Sequence, residues 1–142
     1  MADRVLVPFD GSPLSERALH YALQTHPEAS ITTMYVIDPI ESVYAVEAGG
    51  LPVSESWDRD AQARAAEIQS TAAAMAAGYD AELETVTVAG KPARKILEHV
   101  DELDVDHIVM GSHGRGGLER VVLGSVAETV TRRASVPVTI IR

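Results

Sequence analysis

The most constraining feature of this chain is the alternation of five short apolar runs with four segments of helical periodicity. Val5-Leu6-Val7, Ile31–Ile37, Leu83–Val88, His107–Met110 and Thr139–Ile141 read as strands. Ser12-Pro13 opens the first helix: Ser12 can cap its free amides, and Pro13 fits the first helical position, where no donor is needed. Leu14, Ala18, Leu19, Ala22 and Leu23 then form one apolar face. Ser54–Ala77 reads as a long Ala-rich helix stopped by Gly78, with the Ala72–Ala77 run buried. Gly90-Lys91-Pro92 starts a third helix with Ala93, Ile96, Leu97, Val100 and Leu103 inward. Ser125–Ala134 forms a fourth, with Val126, Ala127 and Val130 inward. Residues 38–54, broken by Gly49-Gly50 and Pro52, read as a mobile loop.

Strands that are almost wholly apolar and are separated by amphipathic helices imply a parallel sheet covered on both faces, an α/β class. Right-handed crossovers make it doubly wound. Such sheets bind ligands outside the carboxyl ends of their strands, where the strand order reverses. The loops there are Pro8–Ser12, Val36–Pro39, Ala89–Pro92 and Gly111–Ser125. At 142 residues, with no repeat or linker, a single domain spanning 1–142 is expected.

Composition excludes several classes. There is no Cys, hence no disulfide, thiol nucleophile or thiolate metal site. No apolar run reaches membrane-spanning length and no signal-peptide core follows Met1, so a cytoplasmic protein is expected. A net charge of −9 disfavours nucleic acid and anionic membranes as partners. Two lysines (Lys91 and Lys95) beside ten arginines suit a salt-rich, halophilic cytosol, and equally an ordinary mesophile. The charge is also uneven. Residues 1–106 carry −12, whereas 107–142 carry +3 from Arg115, Arg120, Arg132, Arg133 and Arg142 against Glu119 and Glu128. An anion held in this last region accounts for that contrast, as does chance clustering of surface Arg.

The chemistry concentrates after the fourth strand. Gly111-Ser112-His113-Gly114-Arg115-Gly116-Gly117 is followed by Gly124-Ser125 at a helix start. Glycines there allow positive backbone dihedrals and close ligand approach, and Ser125, Val126 and Ala127 present free amides at the positive end of a helix dipole, which favours phosphate. Two known phosphate fingerprints fail. The loop has no Gly-Lys-Ser/Thr, and Gly114-x-Gly116 runs on to Glu119 after the fourth strand instead of the first. A side chain at Gly124 is expected to block phosphate and leave the fold intact.

What fits is Gly111-x2-Gly114-x9-Gly124-Ser125. Together with Val7-Pro8-x-Asp10-Gly11-Ser12, Val36-Ile37-Asp38, Leu123-Gly124-Ser125-Val126 and Val136-Pro137-Val138, it resembles the ATP-binding branch of the universal stress protein family over essentially the whole chain. The resemblance implies the adenine nucleotide alpha hydrolase-like fold, with sheet order 3-2-1-4-5. It implies that Pro8 lines the nucleotide cleft, that Asp10 faces the ribose or phosphates, directly or through Mg2+, and that the Val36 main chain meets the adenine edge. Met110 and Gly111 would flank the nucleoside. Gly114, Gly124, Ser125 and Val126 would supply amides, and the Ser125 hydroxyl, to the phosphates, with His113 and Arg115 beside them.

The residues also read chemically without the family. Val7, Pro8, Val36 and Met110 could wall an apolar adenine-sized slot, while Arg115 or Arg120 balances phosphate charge. Asp10 would be repelled unless a metal intervened. Blander readings stand beside these: Asp10 as a turn or cap residue, His113 as a solvated group, Trp57 as a packing residue, Arg132-Arg133 as cations relieving a helix dipole. His20, His26, His99 and His107 have no metal spacing and read as surface or rim residues.

The last strand, Val138-Thr139-Ile140-Ile141, would lie at a sheet edge, and pairing with a second copy would cover it; the resemblance implies such homodimers too. The leading functional expectation is an ATP-binding, nucleotide-responsive stress module. Nucleotide occupancy would order the 38–54 and Gly loops and so alter the surface offered to a protein partner, with slow or no hydrolysis. The alternatives are a weak metal-dependent ATPase using Asp10, and a member that takes AMP, cyclic AMP or no nucleotide. A receiver-type signalling domain is excluded, because Ala89-Gly90-Lys91 stands where its phospho-acceptor Asp belongs.

Overall fold

A computed structural model describes residues 3–38, 55–113 and 123–142, with main chain alone for 55–58. In chain order the elements are β1 (Arg4–Pro8), α1 (Pro13–Thr25), β2 (Ser30–Ile37), α2 (Glu55–Ala77), β3 (Leu83–Ala89), α3 (Pro92–Glu102), β4 (His107–Gly111), α4 (Ser125–Arg133) and β5 (Val138–Ile141). The expected loop at 38–54, apart from Asp38, lies outside the described residues.

The five strands form one sheet in the order β3-β2-β1-β4-β5, every neighbouring pair parallel. This is the doubly wound 3-2-1-4-5 arrangement, with the order reversing between β1 and β4. Strand alternation sorts the side chains into two cores. Val5, Val7, Ile31 and Val109 pack with Ala18, Leu19, Ala22 and Leu23 of α1 and with Ile68, Ala72 and Ala76 of α2. Leu6, Met34, Ile108 and Met110 face the other way, onto Ile96 and Val100 of α3 and Ala127 and Val130 of α4. Neighbouring strand residues therefore serve opposite layers, as the period of two requires.

Helix ends follow local chemistry. The Ser12 hydroxyl oxygen accepts from the Ser15 amide at 3.3 Å, and Pro13 takes the first turn, as expected. α2 ends at Ala77, before Gly78, as expected. Gly78 is not the left-handed residue; Asp80 is, with φ 54°. The Ala81 amide donates to the Ala76 carbonyl and the Asp80 amide to that of Ala77, the paired bonds of a Schellman ending. α3 ends similarly, with Asp104 at φ 52° and the Val105 amide on the Val100 carbonyl. Aspartate tolerates this conformation better than most residues because its short polar side chain can bond locally.

The Ala72–Ala77 run is helical but not buried throughout. Ala72 and Ala76 are buried, whereas Ala73, Ala74 and Ala77 are exposed, because only one stripe of α2 meets the sheet. On that stripe lies Gln69, a buried polar residue. Its Oε1 accepts from the Thr33 hydroxyl at 2.8 Å, and its Nε2 donates to the Val86 carbonyl at 3.0 Å, tying α2 to β2 and β3.

Candidate functional site at the carboxyl ends of β1 and β4

Several of the residues singled out from the sequence lie at the carboxyl ends of β1, β2 and β4, around the point where the sheet order reverses. Pro8 ends β1, Val36 lies one residue before the end of β2, and Met110-Gly111 ends β4. Val36 and Met110 both pack in the core that faces α3 and α4. Pro8 lies two residues beyond Leu6 and in register with Met34, so it belongs to the same sheet face. These three can wall one apolar slot. Val7 cannot join them: it is fully buried in the opposite core, under α1 and α2. That corrects the expectation that Val7 lines the slot, and the reason is strand alternation.

Beyond β1 the chain stays in the ladder for one more residue, the Phe9 amide donating to the Met34 carbonyl at 2.8 Å. Phe9, 2% exposed, anchors the turn in the α1–α2 core; an apolar residue just past Pro8 was its only trace in the sequence. The Asp10 carboxylate then accepts from the Ser12 amide at 2.9 Å, while Gly11 turns the chain with φ 79°. Asp10 therefore shapes the turn that leads into α1, in keeping with the blander reading of it.

Gly111 and Gly124 have a packing reason of their own. Gly111 and Gly124 are not in the left-handed region; Gly124 sits at φ −69°, ψ 166°. A Cβ on Gly111 would lie 2.9 Å from the Leu14 Cβ, closer than real Cβ contacts, so α1 can pack against β4 only if this residue has no side chain. A Cβ on Gly124 would lie 3.1 Å from the His113 Cβ and 3.3 Å from the Ser112 carbonyl oxygen. A Gly124→Val side chain would thus press first on the Ser112-His113 turn, so it is not a clean probe of phosphate approach.

Ser112 closes the neck of the loop. It is 3% exposed; its carbonyl accepts from the Gly124 amide at 2.6 Å, and its amide donates to the Ile141 carbonyl at 2.8 Å. Its Oγ lies 3.3 Å from His113 Nδ1. No periodicity or charge pattern marks Ser112 in the sequence. Its importance comes from two main-chain bonds across the fold.

α4 begins at this neck with Gly124 as its N-cap and no side-chain cap, in contrast to α1. Gly124 thus brings no side-chain acceptor to the first-turn amides of α4, and the helix dipole stands behind them. Ser125 is exposed at the first position and Val126 half-buried, so the hydroxyl is accessible and the aliphatic chain helps close the core. Gly114, Arg115 and Arg120 lie outside the described residues. Among the described residues no group of three or more His, Asp or Glu could hold a metal ion.

The remaining histidines lie elsewhere. His20 Nδ1 is 3.0 Å from the Tyr79 hydroxyl on the outer surface. The His26 and His107 rings lie with centroids 5.2 Å apart, tilted by 50°, and His107 Nε2 lies 2.7 Å from Thr139 Oγ1. His107 opens β4, so this pair stands at the end of the sheet opposite the candidate site.

Known proteins share this architecture. Universal stress protein MJ0531 of Methanocaldococcus jannaschii is 33% identical over 98% of this chain and 81% of its own length. The solved structure of MJ0577, described as a test case for structure-based assignment of biochemical function, superposes with a TM-score of 0.81 at 25% identity, covering 98% of this chain and 94% of that one. A universal stress protein crystallised in complex with cAMP superposes at 0.72 with 25% identity, covering 99% and 97%. Residues 1–142 match the profile of the Universal stress protein family, and the chain belongs to that family.

Proposed function

We propose that this chain binds an adenine nucleotide, ATP in the first instance, at the carboxyl ends of β1 and β4 and acts as a nucleotide-responsive stress module. One observation carries the reading: the uncapped start of α4 opens at the Gly111-Ser112-His113 turn, at the end of the sheet where Pro8, Val36 and Met110 share a face. An apolar slot and a helix start without a side-chain cap at one end of the sheet suit a base joined to phosphate. The family relative crystallised with cAMP supports the adenine part. In this reading Gly124, Ser125 and Val126 hold the phosphates, with Gly111, His113, Gly114 and Arg115 beside them. Mg2+, where present, reaches the protein through Asp10 and otherwise through phosphate oxygens.

Turnover is expected to be slow or nil. Asp10 already serves the turn through the Ser12 amide, and His113 Nδ1 faces the Ser112 hydroxyl, so neither is arranged to activate a water. Binding would then alter the protein through its different affinities for two surface states, which a partner protein or a second copy paired at β5 could read.

Titration calorimetry with ATP, AMP and cyclic AMP, each with and without Mg2+, tests this. ATP should bind with one site per chain. Absence of heat with all three nucleotides would reject the assignment, and phosphate release faster than about 1 per second would replace the binding module with an enzyme.

A further inference from the structure

The neck of the loop is joined to the edge of the sheet through one residue. The Ser112 amide donates to Ile141 at the end of β5, and its carbonyl accepts from Gly124 at the start of α4. These two bonds use the peptide groups on either side of one buried α-carbon. Tilting Ser112 to loosen one therefore misaligns the other. β5 is a four-residue strand whose described sheet partner is β4, with Gly111 opposite Ile141 as the last register pair. The Ser112–Ile141 bond extends that ladder by one further rung, and the extra rung belongs to the loop. Ser112 Oγ also approaches His113 Nδ1, and His113 packs over Gly124, so three consecutive parts of the neck bear on one another.

We propose that Ser112 is a positioning residue that links nucleotide occupancy at the start of α4 to the seating of the edge strand β5. The inference rests on the nucleotide-binding reading above. Phosphate held by the α4 amides fixes Gly124, Gly124 fixes the Ser112 carbonyl, and the Ser112 amide then holds Ile141. Linkage is reciprocal, so anything that grips β5, a second copy of this chain included, raises nucleotide affinity by the same factor. Release of β5 lowers it.

Hydrogen exchange on the full chain, with and without saturating ATP, reads the linkage directly while calorimetry on the same sample reports binding. ATP should slow exchange in the peptide covering 136–142 roughly fivefold or more, together with the start of α4, and leave β3 unchanged. Ser112→Pro removes the amide donor to Ile141 and should abolish the β5 response. Ser112→Ala keeps both main-chain bonds and should retain it. Binding heat with protection confined to α4 would overturn the linkage and leave the nucleotide reading intact. Absence of heat would overturn both. If Ser112→Pro fails to fold, the wild-type and Ser112→Ala exchange patterns decide the matter alone.

Discussion

His107 opens β4 among groups that disfavour its proton. Burial lowers its pKa from the ordinary 6.5, the neighbouring His26 lowers it further, and Asp106 partly opposes both. The folded state therefore takes up this proton at lower pH than the unfolded chain. The associated stability is present above the ordinary value and is lost as pH falls through the folded pKa. Denaturant midpoints at pH 7.5 and 5.5 should show a larger acid loss for wild type than for His107→Gln; equal losses would remove His107 from the account. The histidine spacing had excluded a metal cluster, but not this pairing, because His26 and His107 meet across 81 positions of chain. Glycines teach a similar lesson. Gly111 looked like a residue kept open for a ligand, and the contact with Leu14 gives it a packing reason of its own.

Among elements, α2 departs furthest from what its residues suggested. Its Ala-rich stretch lacks a strong apolar stripe, and its docking relies partly on Gln69 lying across β2 and β3. Gln69→Leu should destabilise the protein by about 1–3 kcal/mol, since the fully buried Thr33 hydroxyl loses its partner. Thr33→Val in the same chain removes the orphan and should recover much of that loss in a double-mutant cycle. Additive losses would mean the pair is not coupled. The other helices were easier to read. In α3 and α4 the expected inward residues Ile96, Val100, Ala127 and Val130 are buried and Ala93, Leu103 and Val126 half-buried against the same core, whereas Leu97 is half-buried and joins neither core.

For the molecule as a whole, the parallel sheet leaves β3 and β5 at its two edges. Every residue of β5 keeps partial exposure, although Val138 and Ile140 pack against the α3–α4 core and Ile141 against the other. An apolar edge of this kind favours pairing with a second copy. Sedimentation equilibrium at micromolar concentration should give about twice the 15.2 kDa chain mass. A mass of one chain would reject the dimer.

The residues alone determined the order of strands and helices and the parallel doubly wound class. Periodicity, caps and turn residues act over a few neighbours, and each is written locally. Only the tertiary structure decided that Val7 turns into the core opposite Met110, that Leu14 packs closely on Gly111, and that Ser112 joins α4 to β5. Those facts depend on which distant segments come within about 3 Å of one another, and no short window of sequence carries that distance.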